Sequence, residues 1–95
     1  MLSQKEIDII IETLKPYNPK RIGLFGSVAR NEEKISSDID ILYSFNAPIS
    51  LFMKYRILEE LKNKLHKKID LVSENAIHSG IKKYVYNDLK LIYES

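Results

Sequence analysis

The run Asp38-Ile39-Asp40-Ile41-Leu42-Tyr43 constrains this chain more than any other feature. Strand side chains alternate faces, so Asp38 and Asp40 share one face while Ile39 and Ile41 enter a core. A core strand gains nothing from two like charges on one face unless a cation neutralises them. The run therefore predicts a sheet with one packed face and one face that carries chemistry. An earlier apolar run, Ile22-Gly23-Leu24-Phe25, reads as a buried strand and ends in Gly26-Ser27. Gly26 lets the backbone approach a ligand closely, and Ser27 adds a hydroxyl beside main-chain N–H groups. Val28-Ala29-Arg30 suits the first turn of a helix. An anion there meets unpaired N–H donors and the positive end of the dipole. A turn suited to a phosphate thus precedes two carboxylates suited to a divalent cation.

The rest of the chain organises around these two segments. Ser3-Gln4-Lys5-Glu6 is a capping box that opens a helix with the apolar stripe Ile7, Ile10, Ile11 and Leu14. Pro16 and Pro19 end it and lead into the first strand. The polar segment from Asn31 to Ser37 predicts a surface loop that returns the second strand beside the first. Asn46-Ala47-Pro48 breaks that strand, and Ser50 can cap a helix carrying Leu51, Tyr55, Leu58, Leu61 and Leu65. A strand around Lys68-Ile69-Asp70-Leu71-Val72, a helix near Ile81 to Asn87 and a short strand around Leu89 to Tyr93 complete the order. Alternating helices and strands predict an α/β chain of the two-layer α+β kind, a small mixed sheet backed by helices. Strand directions do not follow from the pattern.

Composition places the chain as one domain spanning residues 1–95, with no repeats or linkers. With 44% hydrophobic and 29% charged residues it has the make-up of a folded protein, not a disordered one. The absence of cysteine excludes disulfides and thiolate metal sites. There is no apolar stretch of the roughly 18 residues a membrane span needs, and the N-terminus lacks the form of a signal peptide. A cytoplasmic location is expected. A net charge of +2 does not argue for direct nucleic-acid binding. There is no G-x-x-x-x-G-K-[ST] motif, which sets a P-loop NTPase aside.

The pattern Gly26-Ser27-x-x-Arg30 followed by Asp38-x-Asp40 resembles the nucleotidyltransferase signature of the DNA polymerase beta superfamily, in its short minimal nucleotidyltransferase (MNT) form. The resemblance covers nearly the whole chain, and Asp70 looks like the family's third carboxylate. It implies the nucleotidyltransferase fold, with Asp38, Asp40 and Asp70 catalytic and metal-binding. Gly26, Ser27 and Arg30 would hold the nucleotide. Asn31 departs from the glycine usual after the arginine; Asn is the next choice where a left-handed backbone is needed.

The implied reaction is attack on the α-phosphate of ATP or another NTP, with release of pyrophosphate. Magnesium, as two ions, is the expected cofactor, and manganese satisfies the same oxygen ligands. No part of the chain is left over to grip an acceptor, so another chain or a second copy of this one must present it. MNT proteins of this kind are commonly antitoxins that transfer AMP to a tyrosine of a HEPN ribonuclease toxin. The alternatives are a non-catalytic nucleotide-binding antitoxin or interaction module, or nucleotidyl transfer to RNA or a small molecule.

Each residue also has a plainer reading. Gly-Ser after a strand is usually a turn, Asp-x-Asp can be exposed edge charge, and Asp70 can be the polar position of an alternating strand. Arg30 divides between a phosphate contact and an ion pair with Glu32 or Glu33. Lys62, Lys64, Lys67 and Lys68 suit a helix C-terminus. His66 and His78 lack partners at metal-ligand spacing and read as surface residues. Most tyrosines read as core or strand residues, with Tyr84 and Tyr86 available to a partner.

Overall fold

The computed structural model describes residues 2–30 and 38–95. Helix α1 (Gln4–Leu14) opens with the capping box: Ser3 Oγ accepts from the Glu6 N–H at 3.2 Å, and Glu6 Oε1 accepts from the Ser3 N–H at 3.1 Å. Pro16 falls in a 3-10 turn (Lys15–Tyr17), Asn18 takes a left-handed conformation with φ 59°, and Pro19 begins strand β1 (Pro19–Phe25). Helix α2 (Gly26–Ala29) follows directly. After the segment 31–37, which includes Asn31, Glu32 and Glu33 and lies outside the described residues, strand β2 (Ile39–Phe45) begins one residue beyond Asp38. Helix α3 (Leu51–Leu65), strand β3 (Ile69–Ser73), a 3-10 turn (Glu74–Ala76), helix α4 (Ser79–Asp88) and strand β4 (Lys90–Glu94) complete the chain.

The four strands form one mixed sheet in the order β3-β2-β1-β4. β1 runs antiparallel to β2 and β4, while β2 and β3 are parallel. A parallel pair needs a long crossover, and α3 supplies it. This is the α+β architecture expected from the order of elements, now with its strand directions.

One face of the sheet carries the core. Ile22 and Leu24 of β1, Ile39 and Ile41 of β2 and Leu71 of β3 cluster with Ile10 and Leu14 of α1 and Ile57, Leu61 and Leu65 of α3. Full burial of a side chain of this size is worth about 1.5–3 kcal/mol, so the cluster dominates folding. On the other face α4 lies against β1, with Val85 buried. Leu89 packs over Gly23, where a larger side chain would collide with it.

Helix α3 forms where the sequence placed it, but only part of its apolar set is buried. Its buried positions are Ile57, Leu61 and Leu65, with Leu58 only partly buried, whereas Leu51 and Tyr55 are exposed. The i, i+4, i+7 spacing is real, but the first half of the stripe turns away from the sheet. Three of the six tyrosines, Tyr55, Tyr84 and Tyr86, are likewise exposed.

Candidate active site

The register of two strand pairs assembles the site. In the β1–β2 pair Phe25 lies opposite Asp40, which sets Gly26 beside that carboxylate. In the parallel β2–β3 pair Asp40 lies opposite Asp70, between Ile39–Ile69 and Ile41–Leu71. Those flanking pairs face the core, so alternation sends Asp40 and Asp70 to the opposite face together. The Ile39 N–H donates to the Lys68 carbonyl at 2.9 Å and ties the starts of the two strands. Asp38, two residues before Asp40, is exposed at the same end of the sheet.

Gly26 is held at φ +73°, a left-handed conformation that favours glycine. A side chain there is excluded for a second reason. A Cβ at this position would lie 3.2 Å from Asp40 Cγ and closer still to Oδ2. The Asp40 carboxylate therefore rests directly over the Gly26 backbone. Ser27 follows at half-buried exposure in the first turn of α2, whose Val28 and Ala29 are buried.

Electrostatics mark Asp40 as the stressed member. Burial, then the negative charges of Asp70 and of Asp38, push its pKa up from 3.8 to about 6. Arg30 pulls the other way, and its Nη1 is 2.5 Å from Asp88 Oδ2 at the end of α4. The pairing with Asp88 was invisible in sequence because 58 positions separate the two. The pairing proposed with Glu32 or Glu33 lies outside the described residues.

Carboxylate oxygens are the donors that magnesium or manganese prefers. The negative charges of Asp38 and Asp70 bear on Asp40, a setting a divalent cation would relieve. The side chains as they stand are not closed around a point: among the described residues no three His, Cys, Asp or Glu side chains form a ready metal cluster. The oxygen donors of Asp38, Asp40 and Asp70 suit a divalent cation chemically.

The other candidates resolve as structural. His66 is the left-handed C-cap of α3 at φ 56°, and His78 Nδ1 accepts from the Gly80 N–H at the start of α4. Lys62, Lys64 and Lys67 pair with Glu59, Glu60 and Glu6 respectively, which disperses the positive charge at the end of α3. The larger hollows lie away from the aspartates. One of about 400 Å³ is lined by Tyr43, Phe45 and Asn46 at the far end of β2, and one of about 570 Å³ by Lys20, Arg21 and Glu74. Among the described residues no helix is long and apolar enough to cross a membrane.

A mixed sheet with helices on both faces, a glycine turn after the first strand and carboxylates on the next two strands define a nucleotidyltransferase fold. The chain belongs to the polymerase beta nucleotidyltransferase family, which it matches over residues 8–95. Nucleotidyltransferases generally use divalent metals. Within the family the chain is similar to the protein adenylyltransferase MntA of Thermococcus cleftensis, at 35% identity over 94 residues, covering 94% of this chain and 95% of that one. Among solved structures it is similar to a toxin–antitoxin complex with AMP-PNP, with TM-score 0.84 and 22% identity over 94% of this chain and 73% of that one. It is also similar to the tri-AMPylated Shewanella oneidensis HEPN toxin in complex with MNT antitoxin, with TM-score 0.80 and 21% identity over 99% of this chain and 74% of that one. At these identities the structural likeness establishes the fold.

Proposed function

We propose that this chain is a protein adenylyltransferase and acts as an antitoxin, moving AMP from ATP to a tyrosine hydroxyl of a HEPN-type toxin. The observation that carries the reading is the register that sets Asp40 beside Asp70 and its carboxylate against the Gly26 backbone. Family membership supports the reaction class, and the names of the relatives support the acceptor.

In this reading Gly26 and Ser27 receive the triphosphate at the turn from β1 into α2. Arg30 adds positive charge that offsets the negative charge of Asp40. Asp38, Asp40 and Asp70 would hold magnesium, as a pair of ions, or manganese in its place. When bound, the metal neutralises charge on the carboxylates and on the phosphates.

The acceptor oxygen attacks the α-phosphorus, the bond from that phosphorus to the bridging oxygen breaks, and pyrophosphate leaves. Asp70, on the strand next to Asp40, takes the hydroxyl proton on a carboxylate oxygen. Holding nucleotide and acceptor in line on rigid strands, with compensated charge, provides most of the acceleration.

The test is transfer of label from α-labelled ATP with magnesium into a HEPN-type partner protein, with Asp38→Ala/Asp40→Ala as control. A labelled tyrosine that disappears with the control is expected. Partner binding without label would replace the reading with a stoichiometric antitoxin, and label in RNA would replace the acceptor.

A further inference from the structure

The last turn of α4 holds an acid where the helix dipole disfavours one. The C-terminal end of a helix favours cations, yet α4 has no basic residue there and ends on Asp88. The Asp88 side chain is only 17% exposed. A carboxylate this enclosed needs a partner, and among the described residues its one partner is Arg30. Arg30 caps α2, and its backbone N–H donates to the Gly26 carbonyl at 3.2 Å. The ion pair thus joins the end of α4 to the residue that closes the Gly26-Ser27 turn. Other contacts already hold α4 on the sheet. Val85 is buried, Leu89 packs over Gly23 of β1, and Tyr86 Oη donates to Glu74 just after β3.

We propose that Asp88 is a positioning residue: it holds the Arg30 guanidinium at the nucleotide turn, so that the phosphates of ATP meet an arginine already in place. The inference rests on the nucleotide-site reading of Gly26, Ser27 and Arg30. A long arginine side chain left to itself must be ordered by the incoming nucleotide, at an entropic cost to affinity. A guanidinium has five N–H donors, so a carboxylate on Nη1 does not exhaust its capacity for phosphate. Held by Asp88, Arg30 already acts electrostatically on Asp40, which lies opposite Phe25 at the start of the turn. Fastening α4 alone does not require an acid set against the dipole, because Val85, Leu89 and Tyr86 fasten it elsewhere.

The test is a double-mutant cycle read as ATP affinity by calorimetry with magnesium, so it does not depend on transfer. It uses the unmodified chain, Asp88→Asn, Arg30→Gln and the double variant, with Glu74→Gln as the control that loosens α4 at its other tie. Asp88→Asn keeps the shape of the side chain and removes its charge, and circular dichroism checks the fold of each protein. Asp88→Asn is expected to raise Kd for ATP about fivefold and Arg30→Gln about tenfold. The double variant should then match Arg30→Gln within about twofold, because Asp88 acts through Arg30. Glu74→Gln should leave the affinity within about twofold of the unmodified chain. Multiplied effects in the double variant overturn the inference, as does a loss with Glu74→Gln equal to that with Asp88→Asn. Unchanged or tighter ATP binding by Asp88→Asn also overturns it, since Asp88 would then be idle or a competitor of phosphate. Absence of ATP binding by the unmodified chain overturns the nucleotide-site reading and this inference with it. ATP binding without transfer to a partner overturns the adenylyltransferase reading alone, and the cycle still decides the role of Asp88.

Discussion

Asp40→Asn should stabilise the metal-free protein, and only above mildly acidic pH. Asp40 is half-buried against Gly26, and burial, then the charges of Asp70 and Asp38, raise its pKa from 3.8 to about 6. An acid whose folded pKa exceeds its unfolded one binds more protons folded than unfolded between those values. Stability is therefore complete below about pH 4, falls as pH rises toward 6, and stays low above it. At 1.36 kcal/mol per pH unit the rise corresponds to about 3 kcal/mol, and solvent access at the open end of the sheet reduces this to roughly 2 kcal/mol. Asparagine reproduces the shape of the protonated acid without the charge.

Urea denaturation of both proteins in EDTA at pH 4 and pH 8 checks the reasoning. The variant should match the parent at pH 4 and exceed it by about 2 kcal/mol at pH 8, equivalent to about 8–16 °C in Tm for a domain of this size. Magnesium at pH 8 should narrow the gap by stabilising the parent alone. A variant no more stable than the parent at pH 8 would refute the electrostatic account. So would one equally stabilised at both pH values.

Gly26→Ala must adopt a left-handed conformation and displace the Asp40 carboxylate; a loss of at least about 1–2 kcal/mol in urea, with weakened ATP binding by calorimetry, is expected. Arg30→Gln removes the positive charge that lowers the proton affinity of Asp40, so the Asp40 carboxyl resonance should titrate above about 6 by carbon NMR. Glu74 is held below its usual pKa: burial opposes this, but hydrogen bonds from Tyr86 Oη at 2.6 Å and from Arg21 win. That stabilisation is present above the unfolded value and lost as pH falls, so Glu74→Gln should cost about 1–2 kcal/mol at pH 7 and much less at pH 3.

The elements of the fold were legible where local chemistry decided them. Ser3 and Ser50 cap their helices, Pro19 opens β1, and the Asp-Ile-Asp-Ile alternation sorted core from opposite face as observed for Ile39 and Ile41. Of the site, the sequence supplied Gly26 and the three aspartates as separate segments. Their proximity depends on Asp40 lying beside Phe25 and Asp70, a register that 14 and 29 intervening positions hide. The partner of Arg30 was hidden for the same reason, since Asp88 meets it only once α4 has packed. Along α3, spacing reports a shared helix face, not what covers it. Leu51 and Tyr55 look like core residues in sequence whether their cover is this sheet or another molecule.

The alternation that builds the core also enforces the site. A slip of one residue between β2 and β3 would set Asp40 beside Ile69 or Leu71, and would turn a carboxylate into the cluster around Ile57 and Leu61. Burying an unpaired charge costs several kcal/mol, a large part of the 5–15 kcal/mol that holds a domain of this kind together. The apolar pairs Ile39–Ile69 and Ile41–Leu71 therefore fix the position of Asp40 against Asp70 without touching any reacting atom. The repulsion among the aspartates is tolerated because these pairs outweigh it. A chain with a weaker core would relieve its carboxylates by letting the strands separate, and would lose the site before it lost its secondary structure.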